Sequence, residues 1–155
     1  MLGRPLPKPV VLEGDLTQPF CGLSAADRRW VAEHCDEVLN NAASLTFRGS
    51  DRASEPWRTN VTGTSHVLDL ARDAGLRHFH HVSTAYVCGL RSGRIGEDDL
   101  DEGQDFGNDY ERSKVEAETI LRRATRAAGG FLDSISVYRP SIIVGDSRTG
   151  WTSTY

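Results

Sequence analysis

The sequence predicts an α/β fold with a parallel sheet, and three observations carry this prediction. Short apolar segments alternate along the chain with longer segments of helical periodicity. Gly and Asp stand where the predicted segments end, as they do in connecting turns. A chain of 155 residues with 38% hydrophobic residues fits one domain. Alternating strands and helices imply right-handed crossovers, so the strands should run parallel and bind ligands beyond their carboxyl ends.

The first half of the chain contains two predicted strands and two predicted helices. Residues 10–13 form a short apolar run, predicted to be a strand that ends at Gly14. Ser24 is a suitable N-cap for a helix to about residue 34, with Asp27 three residues further on. Residues 36–39 predict the next strand. Residues 55–74 predict a long helix with Gly75 as its C-cap.

The second half contains two further strands and one helix. Residues 78–82 predict a strand, and residues 90–108 have no apolar period and predict a long loop, of a length that is usually functional or mobile. A helix is predicted from Tyr110 to about residue 128, closed by Gly129 and Gly130. Residues 133–138 predict the last strand.

Composition excludes several classes of function. The net charge of −4 comes without a basic stripe, so nucleic acid is not expected as a partner. No apolar run approaches the roughly 20 residues of a membrane span, and the N-terminus lacks the apolar core of a signal peptide. A cytoplasmic protein is therefore expected. Cys21, Cys35 and Cys88 have no metal-site spacing and are expected to be free thiols.

The most informative pair of residues is Tyr110 and Lys114. Their spacing of four places a phenol and an ammonium group on one face of a helix. A neighbouring cation favours phenolate, so the tyrosine pKa is expected to fall from about 10. Such a pair alone is common by chance. Here it follows a strand that ends in Ser83 and Thr84, whose hydroxyls could bind an oxygen atom that is being protonated.

Small and polar residues follow the other predicted strands. Asp15 could accept a hydrogen bond from the amine of a base, or could simply start a turn. Ala42 and Ala43 could let a flat or phosphorylated ligand lie on the backbone, or could serve tight packing. Asn60 could hold a water or a backbone carbonyl near the site, or be an ordinary polar helix residue. Gly63, within a helix, predicts close packing on a neighbour.

Three histidines lie in or beside one predicted strand. His78 and His80 should share a face of the sheet, with His81 on the other. No carboxylate or cysteine stands at ligand spacing, so histidines satisfied by their neighbours are expected rather than a metal site.

In this order, these motifs resemble the extended short-chain dehydrogenase/reductase superfamily, and most closely its thioester reductase and fatty acyl-CoA reductase branch. The residues that carry the resemblance are Gly14-Asp15-Leu16, Ala42-Ala43-Ser44 with Phe47, Asn60-Val61-Thr62-Gly63-Thr64, Val82-Ser83-Thr84-Ala85-Tyr86-Val87-Cys88-Gly89, Tyr110 with Ser113-Lys114, and Arg139-Pro140-Ser141-Ile142-Ile143-Val144-Gly145-Asp146-Ser147.

The resemblance implies a Rossmann-type doubly wound parallel sheet and a nicotinamide cofactor, NADP or NAD with NADP preferred. Thr84 would bind the substrate oxygen, Tyr110 would donate or accept the proton, and Lys114 would hold the ribose hydroxyls. The remaining implied cofactor contacts are Asp15 and Leu16 at the adenine, Ala42 and Ala43 at the ribose and phosphates, Asn60 near the site, and Pro140, Ser141 and Ile142 at the nicotinamide.

The sequence departs from the superfamily pattern in two respects. No glycine-rich GxxGxxG turn precedes Asp15, so the first βαβ unit that would bind the pyrophosphate is not expected here. Residues 1–155 are therefore predicted to form a single, incomplete domain, with a sheet edge and apolar faces uncovered. Asn40 stands where many relatives have histidine.

The resemblance implies hydride transfer to the carbonyl of an acyl thioester or an aldehyde, on a small-molecule or carrier-bound substrate. A sugar-nucleotide epimerase or dehydratase, or a steroid-type dehydrogenase, is the alternative within the same superfamily. A third alternative is a truncated gene product without activity of its own. The oligomeric state and the identity of the substrate stay open.

Overall fold

A computed structural model describes residues 8–126 and 130–151. Three parallel strands form one sheet in the order β1-β2-β3, with β1 at Glu37–Asn40, β2 at His78–Val82 and β3 at Ser134–Tyr138. The helices are α1 at Ala25–His34, α2 at Thr64–Asp73 and α3 at Asp109–Arg126. The parallel strands and their alternation with helices confirm the predicted α/β class.

Local sequence signals explain most helix boundaries. Ser24 caps α1 through a reciprocal pair of bonds, in which its hydroxyl accepts from the Asp27 N–H at 3.2 Å and its own N–H donates to the Asp27 carboxylate at 3.3 Å. The predicted helix over residues 55–74 begins as a wide π-helical segment at Arg58–Gly63 and continues as α2. Gly75 follows with a φ of 72°. The predicted helix closure at Gly129 lies outside the described residues.

The main core lies between one face of the sheet and helices α2 and α3. Phe79 of β2, Ala71 of α2 and Leu121 of α3 are each fully buried. His81 points to the same face as Phe79 and is 1% exposed, whereas His78 and His80 point to the opposite face. The predicted division of the three histidines between the two faces is confirmed.

The opposite face of the sheet is open in the described part of the chain. Leu39 of β1 is 61% exposed and Tyr138 of β3 is 48% exposed. On the other side of β1, no strand of the described residues pairs with its edge. The expected uncovered edge and apolar face are therefore present.

The strand predicted at residues 10–13 is wrong. These residues are extended but unpaired, and Val11 is 85% exposed. A strand needs a hydrogen-bonded neighbour to satisfy its backbone, and no described strand lies beside this segment. Among the described residues, short 3₁₀ turns lie at Pro19–Gly22 and Ala85–Cys88, and residues 90–108 form a long loop, as predicted.

Candidate active site

A cleft of about 560 Å³ opens at the carboxyl ends of β2 and β3. It lies between the loop after β1, the start of α3 and the segment after β3. Its lining residues are Leu45, Phe47, Ser83, Thr84, Tyr86, Asn108, Tyr110, Glu111, Pro140, Ser141, Ile142 and Ile143. The predicted residues Thr84, Tyr110, Pro140, Ser141 and Ile142 thus share one cleft.

Two hydroxyl residues directly follow β2. The Ser83 N–H donates to the Tyr138 carbonyl at 2.7 Å, which holds the ends of β2 and β3 together. Thr84 caps the short helix at Ala85–Cys88, because its hydroxyl oxygen accepts from the Tyr86 N–H at 3.2 Å. The Thr84 hydroxyl hydrogen remains available to a ligand. The Ser83 hydroxyl is buried without a hydrogen-bond partner among the described residues.

Tyr110 stands in the first turn of α3 and is half-buried. Its ring meets the Phe47 ring edge-on, with centroids 6.2 Å apart. Burial raises the pKa of the Tyr110 phenol. This corrects the expectation that Lys114 would lower it. The ammonium group of Lys114 is bonded elsewhere, so in this structure the low-dielectric surroundings of the phenol dominate.

Lys114 lies one helical turn beyond Tyr110 and is 1% exposed. Its Nζ donates to the Val82 carbonyl at 2.7 Å and lies 3.4 Å from Nε2 of His81. Burial lowers the pKa of Lys114 to about 8, and the negative charge of Glu118 works in the opposite direction. Lys114 is therefore a cation close to its point of deprotonation.

One turn further along α3, Glu118 forms a buried ion pair with Arg139. The carboxylate is 1% exposed and accepts two bonds from the guanidinium, at 3.0 and 2.6 Å. Arg139 also donates to the carbonyls of Glu97 and Asp99 at 2.9 and 3.0 Å. Since Arg139 precedes Pro140, this pair fixes the cleft segment after β3 to both α3 and the long loop.

Asn60 holds three parts of the site together and is 2% exposed. Its Oδ1 accepts from the Ser44 N–H at 2.8 Å, and its Nδ2 donates to the Ser44 carbonyl at 3.0 Å and to the Ser113 hydroxyl at 2.9 Å. Ser113 in turn donates to the Tyr110 carbonyl at 2.7 Å. Of the alternatives considered for Asn60, the structure shows the bond to a backbone carbonyl, that of Ser44, and a contact of Asn60 with a cofactor stays a prediction. Gly63 packs as predicted, since a Cβ there would lie 3.3 Å from that of Leu16.

The residues expected around an adenine and a ribose lie outside the cleft. Asp15 follows no strand, and its Oδ1 accepts from both the N–H and the hydroxyl of Thr17 at 2.8 Å, bonds that lower its pKa. Leu16 packs partly against the core, while its carbonyl lies 2.8 Å from His66 Nδ1. Ala42 and Ala43 are exposed just after β1. Asn40 is buried and donates to the Thr64 hydroxyl at 3.3 Å.

Several lining residues were not predicted from the sequence. Leu45, Tyr86 and Ile143 expose apolar surface in the cleft, with exposures of 58%, 43% and 77%. A sequence signal for them did exist, since each is a large apolar residue about four or five positions beyond the end of a strand. Cys21, Cys35 and Cys88 are free thiols, as expected. No helix within residues 8–126 and 130–151 is long and apolar enough to cross a membrane.

The sequence is similar to NAD-binding domains and to reductases of known proteins. A model of the male sterility protein family, a set of NAD-binding domains, matches residues 4–155. The hybrid PKS-NRPS synthetase pydA of Acremonium sp. is 36% identical in an alignment of 137 residues, which covers 86% of this chain and 3% of the synthetase. The fatty acyl-CoA reductase wat of Drosophila melanogaster is 26% identical in an alignment 170 positions long, which covers 91% of this chain and 32% of the reductase.

The structure is similar to solved structures of reductase domains and of NAD-binding epimerases. The terminal R domain from the myxalamid PKS-NRPS biosynthetic pathway superposes with a TM-score of 0.75 and 31% identity, over 91% of this chain and 35% of that domain. UDP-glucose 4-epimerase from Brucella ovis, solved with NAD, superposes with a TM-score of 0.58 and 26% identity, over 83% of this chain and 37% of the epimerase. The chain thus spans about a third of these structures.

Proposed function

This chain belongs to the male sterility protein family of NAD-binding domains, in the thioester reductase branch of the extended short-chain dehydrogenases/reductases, and we propose that it carries the proton-transfer half of a carbonyl-reducing site. The substrate is an acyl thioester or an aldehyde, carried by a small molecule or by a carrier protein. The single observation that supports this best is the cleft that brings Thr84 and Tyr110 together, with Lys114 buried behind them.

The cleft has the chemistry that the nicotinamide end of NADP or NAD requires. Pro140, Ser141 and Ile142 offer an apolar wall with backbone groups, and Ile142 is 67% exposed. The Thr84 hydroxyl lines the same cleft and offers a polar contact beside this wall. When bound, the cofactor supplies the hydride. We propose NADP as the preferred form, and direct titration with NADPH and NADH decides between them.

The chain's own residues supply the proton and hold the oxygen. Hydride addition to a carbonyl carbon leaves negative charge on the oxygen, which the Thr84 hydroxyl can stabilise by a hydrogen bond. Tyr110 then gives its proton to that oxygen. The ordinary pKa of a tyrosine is about 10 and burial raises that of Tyr110, so the phenol is protonated at neutral pH and has a proton to give. With a thioester, loss of the thiol from the reduced carbon yields an aldehyde.

The apolar residues of the cleft favour an acyl substrate over a sugar nucleotide. Leu45, Phe47 and Ile143 expose hydrocarbon beside the two hydroxyl groups. An acyl chain gains free energy from covering such surface, whereas a sugar needs hydrogen-bonding groups. The epimerase alternative rests on the fold shared with the Brucella ovis enzyme and is tested by titration with UDP-glucose.

The test is the variant Tyr110→Phe in a coupled assay that follows NADPH consumption with an acyl-pantetheine thioester. Loss of the general acid should lower turnover by about 100-fold or more, while NADPH binding is kept. Tyr138→Phe is the matched control, because its hydroxyl bonds His80 on the other face of the sheet. Unchanged turnover in Tyr110→Phe removes this residue from the mechanism. Absence of NADPH binding and turnover in the unchanged chain supports the inactive alternative.

A further inference from the structure

The buried pair of His81 and Lys114 is the feature that the proposed function leaves unexplained. Both side chains are 1% exposed, and Nε2 of His81 lies 3.4 Å from Nζ of Lys114. The other ring nitrogen, Nδ1, is buried without a hydrogen-bond partner among the described residues. An unpartnered polar atom in the interior is costly, and a leucine or phenylalanine at this position would avoid it.

The geometry fixes which ring nitrogen carries the proton. A charged lysine can only donate hydrogen bonds, so the facing Nε2 must be the acceptor and Nδ1 must hold the hydrogen. A second positive charge on the ring would face the ammonium group at the same 3.4 Å. Burial and Lys114 together lower the pKa of His81 to about 3, so the imidazole is neutral at physiological pH.

Few titratable or charged groups surround Lys114. From α3, Tyr110 lies one turn before it and Glu118 one turn after it. Glu118 is already bonded to Arg139, which comes from the segment after β3. From β2, the Val82 carbonyl and His81 face Nζ. Two of the three ammonium hydrogens are thereby directed to β2, and one remains.

We propose that His81 is a positioning residue for Lys114, a role that rests on the proposed function. As a neutral imidazole it accepts a hydrogen bond from Nζ and, with the Val82 carbonyl, leaves a single N–H free to meet the ribose of the cofactor. His81 touches no reacting atom and acts only through the lysine. The unpartnered Nδ1 is the structural cost of this arrangement.

The lysine content of the chain makes a direct test possible. Lys8 and Lys114 are the two lysines in the sequence, so a chain labelled with ¹³C,¹⁵N-lysine gives one Nζ signal from each. Lys8 is exposed and serves as an internal reference. Titration by NMR reports the pKa of Lys114 without substrate, cofactor or turnover. Failure of this inference is thereby separated from failure of the reductase assay.

Three variants distinguish positioning from simple packing. His81→Leu removes the acceptor and should lower the pKa of Lys114 by about one unit, because a bond to the charged form is lost. His81→Gln retains an acceptor oxygen and should restore most of that shift. His80→Leu, on the same strand but the opposite face, should leave Lys114 unchanged. An unaltered Lys114 pKa in a folded His81→Leu chain would overturn the proposal.

A second measurement on the unchanged chain covers the case in which His81→Leu does not fold. Long-range ¹H–¹⁵N spectra of the histidine rings identify which nitrogen of His81 carries the hydrogen. We expect a protonated Nδ1 and a bare Nε2 from neutral pH down to about pH 5. A protonated Nε2 at neutral pH would show that Lys114 has no acceptor there and would refute the assignment.

Discussion

Asn60 should be the most sensitive polar residue of the site. The variant Asn60→Ala removes three hydrogen bonds, two to the backbone of Ser44 and one to the hydroxyl of Ser113. Each such bond contributes about 1 kcal/mol net, so the free energy of unfolding should fall by roughly 3 kcal/mol. A domain is stable by only about 5–15 kcal/mol, so this is a large fraction of the total.

Asn40→Ala is a matched control for that loss. Asn40 is also buried, at 5% exposed, but makes one long bond of 3.3 Å to Thr64. Its removal should therefore cost only about 1 kcal/mol. Asn60→Asp adds a separate test, because a carboxylate can accept from the Ser44 N–H but donates nothing and brings a charge to a site 2% exposed. Asn60→Asp should therefore lower the free energy of unfolding at least as much as Asn60→Ala does.

Urea unfolding followed by circular dichroism measures all three variants on the same scale. The midpoints and slopes give the free energies of unfolding, provided the slopes agree with that of the unchanged chain. The reasoning is refuted if Asn60→Ala and Asn40→Ala differ by less than about 0.5 kcal/mol, below which neighbouring contacts cannot be told apart. Asn60 would then not be the residue that joins the loop after β1 to α3.

Two further predictions concern the backbone and pH. In urea unfolding, Gly89→Ala should lower the free energy of unfolding clearly more than Gly75→Ala does. Both glycines have a positive φ, at 58° and 72°, so both variants strain the backbone. Only at Gly89 would the new Cβ also clash with the Asp105 carbonyl oxygen. Equal losses in the two variants would contradict this. The free energy of unfolding should fall by about 2 kcal/mol between pH 6.5 and 4.5. In that range the unfolded chain protonates His81, whose folded pKa is about 3, while the folded chain does not. On the alkaline side, Lys114 has a folded pKa of about 8 against 10.5 unfolded, so stability should rise between those values. An undiminished slope between pH 6.5 and 4.5 in His81→Leu would refute the first assignment.

The elements with strong local signals were predictable from the sequence. The capping pair at Ser24 and Asp27 is encoded within four residues, and α1 begins there. The spacing of Tyr110 and Lys114 depends only on helical periodicity, and both residues lie where it requires. Local interactions of this kind are independent of the rest of the fold.

The wrong predictions depend on distant contacts. Residues 10–13 have the composition of a strand, but pairing needs a neighbour that lies far away in any sequence. The bond from Lys114 to the Val82 carbonyl joins residues 32 apart, and it decides that burial rather than the ammonium group sets the pKa of Tyr110. The turn at Asp15, by contrast, depends on a local contact. An Asp two residues before Thr17 is a sequence signal for a carboxylate that accepts a hydrogen bond from the backbone.

The choice of lysine at position 114 supports a chemical role over a structural one. The chain has eighteen basic residues, of which two are lysines and the rest arginines, so arginine is its ordinary cation. Its buried ion pair, at Glu118, uses an arginine whose planar group binds a carboxylate through two bonds. At position 114 the chain instead buries a group whose pKa can fall to about 8. An arginine there would stay charged at every physiological pH, whereas a lysine beside a tyrosine can follow the gain and loss of a proton. This difference predicts that Lys114→Arg, despite its retained charge, disables the site far more than it destabilises the fold.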